Sequence, residues 1–469
     1  MKKINLVIFA ILLLTANFAN AECQKWEKTT SGAFTYSDGK KAKIIKGLDI
    51  EDPVNKIILI YNHGGWSAKK GGGVCLEKEH YPTTLGQLSG RKIKGKEIVS
   101  VNGSGISPKK ANLEFFEKEG GLGNARNVMD ASQNADHELW TKIIELGWTA
   151  VRIPEAYEGL GLGHLELCVI AEELGRSLAP VPFSSSVYFF TEALIKYASE
   201  DIKKELLPKL VTGEVVGTYG IVEDSHQATE SNIQVSSSAD KLNGTKIAVP
   251  DAEMASHMIV VAKSSEGVEL RLVNLKDSSV TVTPQKNIDT SKSFYKVEFD
   301  NTPSSLLGQP GEGWNYIQHL LDQAAVLFAF EQVGGSQAAL DMAKAYSLER
   351  FAFGRQIGSY QAIKHKLADM YIAITLAKSN CYYGAWALSS ESSELSLAAA
   401  TARVSATKAF QLCSKENIQT HGGNGFTWEY DCHLFYKRSK VLSVLLGSEA
   451  TWKEKLVKNL EKTNTLVKE

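Results

Sequence analysis

The sequence predicts a multidomain α+β protein that is mainly α-helical, with an N-terminal helical domain, a middle β-domain and a C-terminal bundle of the four-helix type. Two observations predict this order. Apolar residues recur at helical spacing over 111–213 and over 309–469, whereas short β-branched runs between turn residues fill 214–308. A further segment, 22–110, is rich in Lys and Gly and is expected to be a short α/β-type fragment. A chain of 469 residues has room for these domains, and 43% hydrophobic residues suffice for a large core.

Charge and cysteine usage exclude several classes of function. The formal net charge of −1 does not suggest a protein that binds nucleic acid or anionic membranes. None of the six cysteines forms a CxxC pair, so neither a metal site nor a redox motif is predicted. Cys23 and Cys75 could pair if this part of the chain is exported.

The first 21 residues have the pattern of a secretory signal peptide. Lys2 and Lys3 precede a short apolar run, Leu6–Leu14, and Ala19–Ala21 offers a cleavage site. The run is too short for a stable membrane span, which leaves an uncleaved anchor or a misassigned start as the alternatives. This pattern predicts export.

The segment 22–110 contains one strong strand pattern, Lys56–Tyr61, a continuous apolar run of the buried type. It leads into Asn62–Gly65, and a strand that ends in His-Gly-Gly resembles the oxyanion loop of α/β-hydrolases. The chain has no G-x-S-x-G nucleophile motif, because Asn102–Gly105 lacks the spacing. We therefore expect an incomplete hydrolase-like fragment without activity.

The N-terminal helical domain begins near Ala111. Ile153-Pro154-Glu155 separates its early helix from a Gly-rich loop, Glu158–Gly163. This loop is not a dinucleotide fingerprint, because the strand before it is poor and no acidic residue follows at the required distance. Helices are predicted at 140–147, 165–178, 188–197 and 201–212.

The β-domain and the bundle follow. Strands are predicted at Met258–Ala262 and Leu270–Leu275, with turns at Asn243-Gly244 and Glu266-Gly267. From Gly311 the pattern is helical throughout. After a helical stripe from 314 to 328, helices are predicted at 334–353, 361–388, 394–421 and 431–460.

Two motifs in the bundle indicate a binding site. In the first, Tyr346–Ile357, Gly354 fits a helix terminus, and Arg350 in the preceding turn suits the helix dipole. The second, Ile418–Phe426, contains a Gly-Gly turn that would allow backbone to approach a phosphate without a Cβ clash. Taken singly, each motif is also compatible with an ordinary helix hairpin or turn.

These two motifs, about 70 residues apart, resemble those of the acyl-CoA dehydrogenase family, and the resemblance covers about 111–455. It implies an FAD cofactor that lies at a subunit interface, hence a homo- or hetero-oligomer, either a dimer or a tetramer. On this basis, the residues that face the ADP half of FAD are Arg350, Phe353, Gln361, Gln419, Gly422 and Gly423. The family's first helix is expected at Leu113–Glu119.

The isoalloxazine end of the cofactor site matches the family less well. Val222 stands where the family has a Thr, and Ala248-Val249-Pro250 stands in place of a Trp-x-Thr. A hydroxyl that could bond the flavin is therefore missing twice. Backbone N–H groups remain as possible donors.

The catalytic base is also missing from its usual places. The two positions at which family members carry a Glu are occupied by Leu446 and Ala324. Glu331, on the same apolar stripe as Ala324 but about 10.5 Å further along the helix, is a weak candidate. The acidic residues Glu429 and Asp431 and the neighbouring His433 are expected at an ordinary helix start. Their segment resembles a bacterial branch of the family in which two unlike subunits form one assembly.

The resemblance implies α,β-dehydrogenation of an acyl-CoA to a trans-2-enoyl-CoA, as in β-oxidation of fatty acids or steroid side chains, with electron-transfer flavoprotein as acceptor. One alternative is a non-catalytic subunit that completes the FAD site of a partner. A second is a secreted hydrolase remnant. The family implies a cytoplasmic protein, which conflicts with the predicted signal peptide.

Overall fold

The structure is a computed structural model that describes residues 115–224 and 228–463, together with six short strands before them. The chain divides into two units, 1–115 and 116–469, which are described separately. The predicted signal peptide at 1–21, Cys23 and Cys75 lie outside the described residues. The six strands are β1 (Ala33–Thr35), β2 (Lys43–Lys46), β3 (Asp49–Asp52), β4 (Ile57–Asn62), β5 (Gly65–Lys69) and β6 (Ser100–Asn102).

The described strands of the first unit pair antiparallel. Strand β1 pairs with β6, and the other four form a sheet in the order β2-β3-β4-β5. The predicted apolar strand exists as β4, and both of its neighbours run antiparallel to it. A short apolar run cannot distinguish the centre of an antiparallel sheet from a parallel one. The hydrolase resemblance stays a prediction that this pairing does not support.

The second unit starts with helices, four of which agree closely with the predicted ones, whereas the helix at Leu122–Ala131 was not predicted. A helical turn at 115–118 lies within the expected first helix. Helix α2 begins after Asp136, whose carboxylate accepts the Leu139 N–H at 2.9 Å. The helix predicted at 188–197 starts earlier, as a π-helix (Ser184–Thr191) that continues into α4. The helices are α1 (Leu122–Ala131), α2 (His137–Glu145), α3 (His164–Ser177), α4 (Glu192–Tyr197) and α5 (Glu200–Thr212).

Seven strands form the middle domain. They are β7 (Gly217–Gly220), β8 (Ser236–Ser238), β9 (Lys241–Pro250), β10 (His257–Ser264), β11 (Gly267–Asn274), β12 (Val280–Gln285) and β13 (Phe294–Leu307). Their order is β11-β10-β8-β9-β13-β12, with β7 beside β10, and a β11–β13 pairing closes five of them into a ring. Val235, Leu242, Val249, Val260 and Val297 are among the residues that fill its core.

One predicted turn of this domain is in the wrong place. Asn243-Gly244 lies inside β9, where Gly244 has a φ of 132° next to an irregularity in the β9–β13 register. The β8–β9 turn falls instead at Ala239-Asp240, both of which are left-handed. Asn-Gly is a strong hairpin signal, but a glycine is equally useful where a strand is distorted. The predicted turn at Glu266-Gly267 is confirmed between β10 and β11.

The C-terminal domain is the predicted helical bundle. Its helices are α6 (Gly313–Glu349), α7 (Gln361–Ser389), α8 (Leu395–His421), α9 (Cys432–Val444) and α10 (Glu449–Thr463). The helix predicted at 334–353 is the second half of α6, which has 37 residues. Helix α6 crosses α3 closely, since a Cβ on Gly175 would lie 1.9 Å from the Glu331 carbonyl oxygen.

Two helix ends differ from the prediction. Helix α6 ends at Glu349 and leads into a hairpin of β14 (Phe351–Ala352) and β15 (Arg355–Gln356). Gly354 is therefore not a helix terminus but the second residue of a left-handed turn, after Phe353. The helix predicted at 431–460 is broken at 445–448, where Leu446 and Gly447 both have positive φ.

Candidate functional site

The ring of Tyr346 on α6 stacks on His421 at the end of α8. Their centroids lie 4.1 Å apart with an interplanar angle of 27°. The Asn424 side-chain amide donates to the Tyr346 hydroxyl at 3.1 Å, which ties the glycine turn to the same ring. The hairpin that follows α6 and the glycine turn that follows α8 therefore lie at one end of the bundle.

The six residues expected to face the cofactor are all exposed. They are Arg350, Phe353, Gln361, Gln419, Gly422 and Gly423. Phe353 is 97% exposed at the tip of the hairpin. Added Cβ atoms on Gly422 and Gly423 would meet no atom of the described residues within 4 Å. Gly422 needs glycine for its φ of 60°, but nothing in the described part of the chain requires glycine at 423.

The hairpin that carries Phe353 is held in place by its own contacts. The Tyr360 hydroxyl donates to the Ala352 carbonyl at 2.9 Å, and the Arg355 guanidinium lies 4.0 Å from the Tyr360 ring. Arg355 is thus packed against an aromatic ring, whereas Arg350 stands at the C-terminal end of α6.

Sequence reasoning missed Phe426 as a member of this surface. Its side chain is 83% exposed, directly after the glycine turn. A large aromatic residue that ends a Gly-rich turn was the available signal. Phe426 and Phe353 are thus two strongly exposed aromatic side chains, one on each of the two segments.

The segments expected to flank the isoalloxazine ring have fewer free donors than the sequence suggested. The Ile247 N–H donates to the Val222 carbonyl at 2.8 Å, and the Ala248 N–H donates to Oε1 of Gln285 at 2.7 Å. Two backbone amides that could have replaced the missing hydroxyls are therefore engaged within the chain.

The two usual base positions contain no proton acceptor. Ala324 is fully buried in the middle of α6. Leu446 lies in the left-handed loop between α9 and α10. The candidate named from the sequence, Glu331, is also buried, at 4% exposed.

Glu331 is surrounded by cations. Burial raises the pKa of its carboxyl, while the charges of Lys292 and Arg438 act in the opposite direction. The hydroxyl of Tyr188, which is fully buried, also lies near this carboxylate, and burial raises the pKa of Tyr188 well above its usual value. The environment is that of an interior carboxylate able to hold a proton.

Comparison with known proteins decides the family. The acyl-CoA dehydrogenase N-terminal domain matches residues 111–214, and the acyl-CoA dehydrogenase C-terminal domain matches residues 311–460. The acyl-CoA dehydrogenase IpdE2 of Mycolicibacterium smegmatis is 30% identical over 334 residues, which are 71% of this chain and 91% of that protein. The chain belongs to the acyl-CoA dehydrogenase family.

Solved structures agree with this assignment. A variant of the steroid acyl-CoA dehydrogenase Tcur3481-Tcur3483 is 26% identical with a TM-score of 0.69, covering 76% of this chain and 97% of that one. Butyryl-CoA dehydrogenase from Megasphaera elsdenii shares the fold at 23% identity, with a TM-score of 0.70 and coverage of 75% and 97%. The predicted acyl-CoA dehydrogenase fold, helical domains around a middle β-domain, is confirmed.

In this acyl-CoA dehydrogenase chain, helix α9 is tied to the two other domains by Arg438. Its guanidinium bonds Asp289 at 2.5 Å, Ser291 at 2.9 Å and the Leu178 carbonyl at 3.2 Å. Burial opposes ionisation of Asp289, but the Arg438 charge and the Ser291 hydrogen bonds hold the pKa of Asp289 below its ordinary value. The pair is a structural link between the domains.

The polar residues at the start of α9 are also structural. Asp431 accepts from Nε of Arg126 on α1 at 2.9 Å, and His433 stacks on Trp428 at 4.5 Å. These contacts hold the start of α9 against α1, in agreement with an ordinary helix start.

Residues 115–224 and 228–463 show neither a metal site nor a membrane span. No group of three or more His, Cys, Asp or Glu side chains in them is placed to bind a metal ion. No helix among them is both long and apolar enough to cross a bilayer. Cys168, Cys381, Cys413 and Cys432 are buried free thiols.

Proposed function

We propose that this chain takes part in the FAD-dependent α,β-dehydrogenation of an acyl-CoA, which yields a trans-2-enoyl-CoA, with electron-transfer flavoprotein as the electron acceptor. The stacking of Tyr346 on His421 is the observation that carries this proposal. This contact joins two segments that are distant in sequence into one exposed surface. The surface carries a cation, open glycine backbone and aromatic rings, and these groups suit a dinucleotide ligand.

The residues at this surface fit the ADP half of FAD. Arg350 would neutralise the pyrophosphate, and the open backbone at Gly422 and Gly423 would let it approach closely. Phe353 would cover the cofactor with its ring. When bound, FAD would accept the hydride from the substrate, and the protein would bind and orient both molecules. The exposure of the whole set favours an oligomer in which a second subunit covers it.

Within this proposal, Glu331 is the candidate for the base that removes the α-proton. Its carboxyl is buried and its pKa is raised, as general-base catalysis near neutral pH requires. Its position is unlike that of the usual base, and Glu331→Gln tests its role directly.

A second candidate function is a non-catalytic subunit that completes the FAD site of an unlike partner. The engaged amides of Ile247 and Ala248 favour it, as do Leu446 and Ala324 at the base positions. In this case the ADP-facing surface would serve a flavin whose ring lies in the partner. The solved steroid acyl-CoA dehydrogenase is named by two proteins, Tcur3481 and Tcur3483, which suits such a partnership.

One experiment separates the two functions. The full-length chain would be purified alone and with a co-expressed unlike acyl-CoA dehydrogenase chain, and the visible flavin spectrum recorded before and after acyl-CoA is added. Flavin bound by the chain alone and bleached by substrate supports the dehydrogenase. Flavin and bleaching only in the mixed assembly support the second candidate, and flavin in neither sample contradicts both. Because acyl-CoA and electron-transfer flavoprotein are intracellular, we propose a cytoplasmic site of action.

A further inference from the structure

Arg403 is a fully buried arginine on α8 that bonds to another helix. Its Nη2 donates to the carbonyl oxygens of Leu442 and Leu445, the latter at 2.7 Å. Its Nη1 donates to Oε1 of Gln332 on α6 at 2.8 Å. The side chain is 1% exposed, so these contacts are shielded from water.

The acceptors of Arg403 explain why a charge is tolerated there. The carbonyl of Leu442 belongs to the last turn of α9, and Leu445 is the residue that follows this helix. Carbonyl groups at a helix C-terminus lack intrahelical partners and carry the negative end of the helix dipole. Arg403 therefore acts as a C-terminal cap supplied by a different helix. Burial lowers the pKa of Arg403 to about 10, which keeps it charged at neutral pH.

The orientation of Arg403 is itself supported. The Gln332 amide donates to the Thr407 hydroxyl at 3.1 Å, and Thr407 lies one turn after Arg403 on α8. The Gln332 carbonyl oxygen is thereby directed at the guanidinium. Three helices, α6, α8 and α9, meet through this network.

The position of the capped carbonyls affects the backbone of the residues that follow, 446–448. Directly after Leu445 the chain passes through Leu446 and Gly447, with φ of 65° and 109°, before α10 begins at Glu449. A left-handed backbone conformation of leucine raises the free energy of the fold, and it persists only where the surrounding contacts stabilise it. A shift of the Leu445 carbonyl would move Leu446 with it.

We propose that Arg403 is a positioning residue for the loop 445–448, which it holds through the backbone of α9. The importance of this loop for the reaction rests on the proposed function, because Leu446 occupies a position at which related enzymes carry the base. Arg403 itself touches neither substrate nor cofactor in this proposal. Arg403 fixes the position of the loop backbone, and the side chain at 446 determines which chemical group the loop carries.

Hydrogen–deuterium exchange of the full-length chain tests the proposal without cofactor or substrate. Arg403→Lys keeps the charge but replaces the planar fork by a single nitrogen, which cannot serve three separated acceptors equally. We expect amide exchange at 445–448 to become about tenfold faster, with exchange in the centre of α6 unchanged. The control is Arg438→Lys, which alters an equally buried arginine on α9 whose bonds lead away from the loop.

Unchanged exchange of the loop in Arg403→Lys would overturn the proposal, and so would an equal increase in Arg438→Lys. If Arg403→Lys does not fold, Thr407→Ala, which releases Gln332, decides by the same measurement. We expect it to speed exchange of the loop by about threefold, and no change would overturn the proposal. Because the readout needs no turnover, a failure of the flavin experiment leaves it intact.

Discussion

Oε1 of Gln285 accepts the backbone N–H of Ala248 at 2.7 Å. Gln285 ends β12, and Ala248 lies in β9 with a left-handed φ of 51°, where the family's Trp-x-Thr segment would flank the flavin ring. A side chain from a nearby strand therefore uses a donor that the cofactor would otherwise need. This contact favours a flavin ring that lies in another chain.

Replacing Gln285 tests that question. Gln285→Leu removes the acceptor and frees the Ala248 amide, so a flavin ring bound at β9 should be held several-fold more tightly. Gln285→Glu keeps an acceptor at the same place and is the control. The measurement is the flavin content after gel filtration. Equal retention by both variants and the original chain would place the ring elsewhere, as the second candidate function requires.

A substitution at Gly423 should affect ligand binding without affecting the stability of the fold. A side chain at 423 meets open space, so Gly423→Leu should change the free energy of unfolding by less than about 0.5 kcal/mol. It should nevertheless abolish flavin binding by obstructing the approach of the pyrophosphate. Gly425→Ala is the opposite case, because its Cβ would lie 2.5 Å from the Ile418 carbonyl oxygen. We expect it to cost ~1–3 kcal/mol in urea unfolding. Normal flavin content in Gly423→Leu would remove Gly423 from the site.

Arg350 and Arg355 provide a further test of the surface proposed to bind the ADP half of FAD. Arg350→Ala should lower flavin affinity by about tenfold or more, because it removes the charge expected beside the pyrophosphate. Arg355→Ala removes an equal charge from the same hairpin, but one that packs on Tyr360. Isothermal titration with FAD measures both variants. An equal loss of FAD affinity in both variants would mean that the net positive charge at this end of the bundle matters and that the position of Arg350 does not.

The contact between Tyr346 and His421 should depend on pH. Burial lowers the pKa of His421, although the hydrogen bond from its Nδ1 to the Asn417 carbonyl opposes the shift. The unfolded chain therefore binds this proton more readily than the folded one. The stabilisation is fully present above about pH 6.5 and is lost as the pH falls through the lower folded pKa.

Urea unfolding at about pH 7.5 and about pH 5.5 measures this dependence. His421→Phe keeps a stacking ring that cannot be protonated, so it should lose less stability on acidification than the original chain. His257, His319 and His433, whose pKa values are also lowered by burial, add to the remaining slope. Buried carboxyls with a raised pKa, such as Glu331, act in the opposite direction. Identical slopes in the two proteins would show that His421 does not titrate with folding.

The pair of Arg438 and Asp289 should behave as a buried ion pair. Arg438→Met leaves the Asp289 carboxylate uncompensated between domains and should cost ~3–5 kcal/mol. Adding Asp289→Asn removes that charge and should restore part of the loss. A double-mutant cycle by urea unfolding gives the coupling, and additive losses would argue against a direct interaction.

Glu331→Gln tests the candidate base while keeping its volume. If Glu331 removes the α-proton, turnover should fall at least about 100-fold while flavin stays bound. Stopped-flow bleaching of the flavin by acyl-CoA is the measurement. Asp289→Asn is a control for the loss of an interior carboxylate. Undiminished bleaching in Glu331→Gln would favour a base supplied by another chain.

Local pattern accounts for much of what the sequence predicted correctly. Helix α8 occupies 395–421 against a predicted 394–421, because its apolar spacing is regular and Gly422 ends it. The Gly-Gly turn was readable in the same way, because it depends only on residue types a few positions apart. The missing Glu residues at Leu446 and Ala324 were instead inferred from the resemblance to the family.

Tertiary structure decided the rest. Whether Gly354 ends a helix or turns a hairpin depends on strand pairing, since a positive φ suits both. Arg403 reaches the carbonyls beside the break at 445–448 from α8, and the Ala248 amide is engaged by a side chain 37 residues away. The sequence by itself determined the family-like order of domains and the two motifs that meet at one end of the bundle. Only the tertiary structure decided which donors and carbonyls are already satisfied, because long-range hydrogen bonds leave no local periodicity in the chain.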